Sequence, residues 1–137
     1  MQIGFYKDGK LLEVKEYEGL TSDILLPVLE DILKTHSVKK IIYTNGPGSH
    51  MATKIAFVLL KTLHILKDIP IYSTSAFELN NNKPIKALGK LYFIKEKENI
   101  ITKRFEDELA SDFFMPKNLS SLRISSDIEP AYKISAV

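Results

Sequence analysis

The residues of this 137-residue chain whose types could do chemistry are three histidines, a Gly-Pro-Gly-Ser loop and two clusters of charge. His36, His50 and His64 lack the His-x-x-x-His or His-Glu spacing that sets two metal ligands on one helix face. Metal binding is therefore not expected, and none of the three is assigned a catalytic role. His36 falls on a helix end, where an imidazolium can meet the last carbonyls, and His64 falls on a partly polar helix face. Cysteine is absent. That excludes disulfides, thiolate zinc sites, iron–sulfur centres and cysteine nucleophiles, and it fits a reducing compartment.

Gly46-Pro47-Gly48-Ser49 follows a strand and opens a helix, where backbone amides and a helix N-terminus can hold a phosphate. Gly46, Gly48 and Ser49 are thus weak candidates for a cofactor site. The loop lacks the lysine and spacing of a P-loop and is not Gly-x-Gly-x-x-Gly, so a structural turn with a serine cap is the favoured reading. Ser49 has no Gly-x-Ser-x-Gly context, which leaves nucleophilic hydrolase chemistry unsupported. Residues 83–104 hold seven basic side chains against Glu96 and Glu98, a local balance of +5, with Tyr92 and Phe93 among them. Such a strip can attract nucleic acid. An ordinary hairpin with lysine outward and Leu91, Phe93 or Ile101 inward accounts for the same letters and is favoured. Glu106-Asp107-Glu108 reads as a solvated cluster rather than a paired-carboxylate catalyst.

The elements that must position these residues follow from periodicity. Residues 3–6 and 12–17 alternate loosely, joined by Lys7-Asp8-Gly9-Lys10, whose Asp-Gly pair suits a tight hairpin turn. Ile24, Leu25, Val28, Leu29, Ile32 and Leu33 repeat at helical spacing, with Thr21, Ser22 or Asp23 to cap the first turn. Pro27 is tolerated only near a helix start, so that helix is expected to begin at Asp23. Ile41-Ile42-Tyr43-Thr44 reads as a buried strand, Ser49 caps a second helix, and Ile71-Tyr72-Ser73 reads as a further strand before a helical fragment over residues 76–79. Strands alternating with helices predict an α/β fold with parallel pairing, to which the hairpin adds an antiparallel edge. Beyond Lys83 a second hairpin over residues 90–96 and 100–105 and a short strand at Leu122-Arg123-Ile124 are expected. The asparagine triplet and Lys83-Pro84 mark the expected boundary between a main body, residues 1–82, and a reduced C-terminal subdomain, residues 83–137, packed on it.

The formal charge of +2, with 45% hydrophobic and 26% charged residues, fits one globular domain. Neither a bilayer-spanning run nor a secretory leader is visible, so the cytoplasm is expected. The second helix carries Ala52, Ile55, Ala56, Leu59, Leu60 and Leu63 along one stripe, while Met51, Phe57, Val58 and Leu66 spread apolar surface to other sides. That excess needs cover. A partner helix, the C-terminal appendage or burial as a central helix would each supply it.

The loop and helix start at Gly46-Pro47-Gly48-Ser49 resemble the bacterial TsaB family, whose junction reads Gly-x-Gly-Pro-Gly-Ser before a Phe-Thr-Gly-x-Arg-Ile-Gly helix start. Asn45 and Ile55 match as well. Ser22-Asp23-Ile24-Leu25-Leu26-Pro27 is similar to the family's Ser-Glu-x-Leu-Leu-Pro, Ser73-Thr74-Ser75 to its Val-Ser-Ser region, and Glu129-Pro130-Ala131-Tyr132 to its terminal Glu-Pro-x-Tyr. The four stretches keep the family's order across almost the whole chain. His50, Met51 and Ala52 stand where the family has Phe, Thr and Gly, and Lys54 where it has arginine. The family's opening strand, which ends in Asp-Thr and lies between the hairpin and the Ile41 strand, has no counterpart in these residues. Either the chain starts upstream or the sheet closes differently.

The resemblance implies a ribonuclease H-like, actin-like ATPase (ASKHA) fold with a mixed sheet and crossover helices. It implies a non-catalytic subunit, without a cofactor, that binds and activates a TsaD-type catalytic subunit in tRNA threonylcarbamoyladenosine modification beside the anticodon. A TsaE-type ATPase would join the complex, and tRNA would be met only through it. Family members pair with TsaD or with themselves through the helices that correspond to residues 24–33 and 51–66, which nominates Ile24, Val28, Met51, Ile55, Val58 and Thr62 as partner contacts. The alternatives are a small nucleotide-binding ATPase-like protein using the Gly46 loop and a self-sufficient homodimeric binding protein.

Overall fold

Asp8 and Gly9 both take left-handed backbone angles, φ 53° and 79°, the combination that lets a two-residue turn follow the twist of its strands. They join β1 (Gln2–Lys7) to β2 (Lys10–Glu16) in an antiparallel hairpin. Phe5 faces Glu13 and Tyr6 faces Leu11, which leaves Leu12 as an extra bulged residue, 66% exposed. The computed structural model describes residues 1–110 and 112–131.

Helix α1 spans Thr21–Thr35 and starts two residues earlier than the proline rule suggests. Leu20 occupies the N-cap, and no side chain caps the first turn, so the expected Thr21, Ser22 or Asp23 cap is not formed. Pro27 therefore sits in the second turn, where it cannot donate to the Asp23 carbonyl. Both residues are exposed, so water can meet that carbonyl. Burial of Leu25, Leu29 and Ile32 on the opposite side offsets the lost bond, at about 1.5–3 kcal/mol for each side chain.

Strand β3 (Ile41–Thr44) runs parallel to β4 (Ile71–Thr74), Ile41 beside Ile71 and Thr44 beside Thr74, with α2 (His50–Lys67) as the crossover. Asp68 closes α2 in the left-handed conformation, φ 55°. Leu25, Leu29, Tyr43, Leu60, Ile69 and Ile71 form the buried core where α1 and α2 cover this pair.

A second core gathers Ala76 and Phe77, from a short 3-10 turn (Ala76–Leu79), with Ile85 and Phe93. It lies on an antiparallel meander of β5 (Ile85–Leu88), β6 (Leu91–Glu96) and β7 (Asn99–Arg104). The β6–β7 hairpin is as expected, whereas β5 was not foreseen, because Lys86 and the Gly89 turn break its apolar pattern. Tyr92, fully buried, accepts from the Leu109 amide at 3.1 Å and meets the Phe105 ring edge-on.

The chain is thus a mixed α/β protein, with two α-helices and small sheets among the described residues. The single mixed sheet expected from the alternation is not formed among the described residues. The hairpin, the β3–β4 pair and the meander are three separate sheets. The hairpin is tied down from elsewhere: Tyr6 donates its hydroxyl to the Pro116 carbonyl, and Leu11 donates its amide to Lys117. Leu122-Arg123-Ile124 is not a strand either. A 3-10 turn (Leu119–Ser121) precedes it, and only Ser125 bridges to β4. Among the described residues no helix is long and apolar enough to cross a membrane.

Candidate partner-binding face

Ser49 starts α2 by accepting the Ala52 amide on its hydroxyl at 3.3 Å, while its carbonyl takes both the amide and the hydroxyl of Thr53. From there a turn of about 100° per residue sets Leu60 toward the core and Met51, Val58 and Ile65 on the opposite side. These three recur every seventh residue and form one row. Met51 is 68% exposed, Val58 51% and Ile65 70%, with Leu66 beside them at 73%. Leu60 is the helix's one fully buried side chain among the described residues. The Thr62 hydroxyl donates to the Val58 carbonyl at 2.8 Å, so it is satisfied inside the helix and adds little polarity to the row.

Of the six nominated contacts, Met51, Val58 and Thr62 are exposed together on this face. Ile55 is half-buried and packs against the core beside it. Ile24 and Val28 are half-buried on α1. Leu66 was read as part of the excess apolar surface but not as a contact, and Ile65 was missed, although the seven-residue step from Met51 through Val58 reaches Ile65 directly. The described residues of the appendage do not cover the row.

The first half of the Gly46–Ser49 junction is closed instead. Gly46 has φ +107° and joins Pro47 through a cis peptide, and both residues are buried. A strap over residues 123–131 crosses them: the Ala131 amide donates to Asn45 at 2.9 Å, and the Asn45 side chain donates to the Glu129 carbonyl at 3.1 Å. Tyr43 donates its hydroxyl to the Ile128 carbonyl. The cavity left between the loop, Thr53 and Pro130 holds about 10 Å³, room for one water. The strap bars a phosphate from Gly46, while Gly48 is half-buried and Ser49 exposed. Tyr132, the last residue of the Glu-Pro-x-Tyr match, lies outside the described residues.

The histidines are spread apart. The His36 amide caps α1, its ring lies 5.4 Å from that of Phe5, and a His64 ring nitrogen meets the Ile69 carbonyl at 2.8 Å. His50 is the first residue of α2. No group of three His, Cys, Asp or Glu side chains able to hold a metal occurs among the described residues.

The basic strip is answered in part by its own chain. Lys90 and Arg104 both bind Glu106, at 3.0 and 2.9 Å, Lys86 approaches Glu108, and Lys103 lies over the Phe105 ring. The hydrogen bond from Arg104, then that from Lys90, holds the Glu106 carboxyl below the usual carboxylate range. A shallow recess of about 420 Å³ opens at the end of the hairpin, near Gln2, Glu16 and Glu18.

No family model, curated protein or solved structure matches this chain.

Proposed function

We propose that this chain is a non-catalytic partner subunit, similar to TsaB, that binds and activates a TsaD-type catalytic subunit in tRNA threonylcarbamoyladenosine modification. The observation that carries this reading is the uncovered row Met51, Val58, Ile65 and Leu66 on a helix whose other side is already packed. An apolar row of this kind on an otherwise folded surface supports an interaction site. The element order of hairpin, α1, β3, α2, β4 is also the order expected of a reduced actin-like ATPase (ASKHA) domain. The strap over Gly46 and Pro47 favours a binding role for this body over nucleotide turnover. In the proposed complex a TsaE-type ATPase acts on the assembly, and tRNA is met through the catalytic subunit.

Sedimentation of the purified chain, alone and mixed with the TsaD-type subunit of the same organism, tests the reading. A heteromeric species that is lost in Val58→Asp is the expected result. A chain that sediments independently of that subunit, or that pairs only with itself, refutes it.

A further inference from the structure

Resting on the partner-subunit reading, we infer that the surface received by α2 is a protein surface that is itself apolar and bordered by carboxylates. Helix α2 contains Lys54, Lys61, Lys67, His50 and His64 and not one Asp or Glu in 18 residues. Lys54 and Lys61, again seven apart, run along one border of the row formed by Met51, Val58 and Ile65.

Among the described residues, ion pairs join Lys86 to Glu108, Lys90 and Arg104 to Glu106, and Arg123 to Glu98, and none involves Lys54, Lys61 or Lys67. Lys86 and Lys90 of the meander have carboxylate partners, whereas Lys54, Lys61 and Lys67 of α2 have none among the described residues. Lys61 lies over the Phe57 ring at 5.3 Å, which holds the ammonium beside the row without neutralising it. A face with apolar side chains and unanswered cations steers an acidic partner toward it and repels a basic one. The neighbouring helix α1 exposes Asp23, Glu30 and Asp31. A flat anionic lipid surface would meet those carboxylates together with α2, whereas a protein can set its own carboxylates opposite Lys54 and Lys61 alone, which favours a protein partner over a membrane.

Two helical peptides of roughly 20 residues, sharing one leucine row but bordered by Glu in one and by Lys in the other, supply the probe. Their binding to the full chain is read by fluorescence anisotropy at low and high salt, beside the TsaD-type subunit itself. The Glu-bordered peptide should bind about tenfold tighter or more at low salt, and the preference should shrink at high salt as the charges are screened. Lys54→Glu combined with Lys61→Glu should reverse the preference, and Val58→Asp should remove binding of both peptides.

Equal binding of the two peptides, or a preference untouched by the double reversal, overturns the inference, as does capture of the chain by anionic vesicles through α2. Should the TsaD-type subunit bind without salt dependence and ignore the lysine reversals, the carboxylate border is refuted while the partner-subunit reading stands. Should the Glu-bordered peptide bind and the TsaD-type subunit not, the border stands and that choice of partner fails.

Discussion

Ser73 and Ser125 exchange both of their backbone hydrogen bonds, at 2.9 and 2.8 Å, and so fasten the C-terminal strap to the edge of β4. The buried Ser73 hydroxyl adds a bond to the Asp127 carbonyl at 2.6 Å, and Thr74 adds one to Arg123. Two buried polar side chains at the sheet edge thereby find partners 49 and 54 residues away.

Ser125→Pro removes the amide that serves Ser73. It should cost about 1–3 kcal/mol, the penalty of a buried carbonyl left without its donor. The urea midpoint should fall and the Ser73 amide should exchange faster with solvent. An unchanged midpoint would show that the strap adds nothing to the fold.

Val58 and Leu60 are two residues apart and should behave in opposite ways. Val58→Asp should change folding stability by no more than about 0.5 kcal/mol, because the side chain already stands in water. Leu60→Ala empties a core position and should cost about 2–5 kcal/mol. Chemical denaturation of both variants checks the assignment of the two sides of α2, and equal losses would refute it.

Pro27→Ala should stabilise the protein. Alanine restores the amide that α1 lacks opposite the Asp23 carbonyl, and the exposed ring gives up no core contact. The gain should be at least about 1 kcal/mol and below the ~3 kcal/mol typical of an interior helical proline. Thermal unfolding reads it as a higher midpoint.

Burial raises the Tyr6 phenol above its ordinary range, and the protonated hydroxyl donates to Pro116. An acid whose folded pKa exceeds its unfolded one stabilises the fold fully below the unfolded value, about 10 for tyrosine. That contribution is lost as pH rises through the folded value. Tyr6→Phe should therefore weaken the protein at neutral pH and flatten its alkaline decline, which denaturation midpoints at a series of pH values will show.

Much of the local structure was legible because its causes act within a few residues. The Asp8-Gly9 pair dictates its turn by tolerating two left-handed residues, Ser49 can cap only the helix it precedes, and the β-branched run at Ile41 and Ile42 prefers extended backbone. The start of α1 was misplaced because burial of Leu25, Leu29 and Ile32 outweighs the local cost of Pro27.

The candidate face was half legible. Helical spacing in the sequence set Met51, Phe57, Val58 and Leu66 off the stripe that holds Leu60, and the TsaB resemblance nominated Met51, Ile55, Val58 and Thr62, whereas the border of Lys54 and Lys61 was not read. Which side meets the core was decided by where α1 and β3 lie, a matter of packing between elements distant in the chain. The closure over Gly46 and Pro47 likewise depends on Ser125, Asp127, Ile128 and Glu129, polar or unpatterned positions whose partners lie 49 or more residues back. Turn and cap chemistry is written in neighbouring residues, so the sequence determined the elements. Long-range pairing depends on which edges and faces the folded chain brings together, so the tertiary structure alone decided the strap, the three separate sheets and the exposed row.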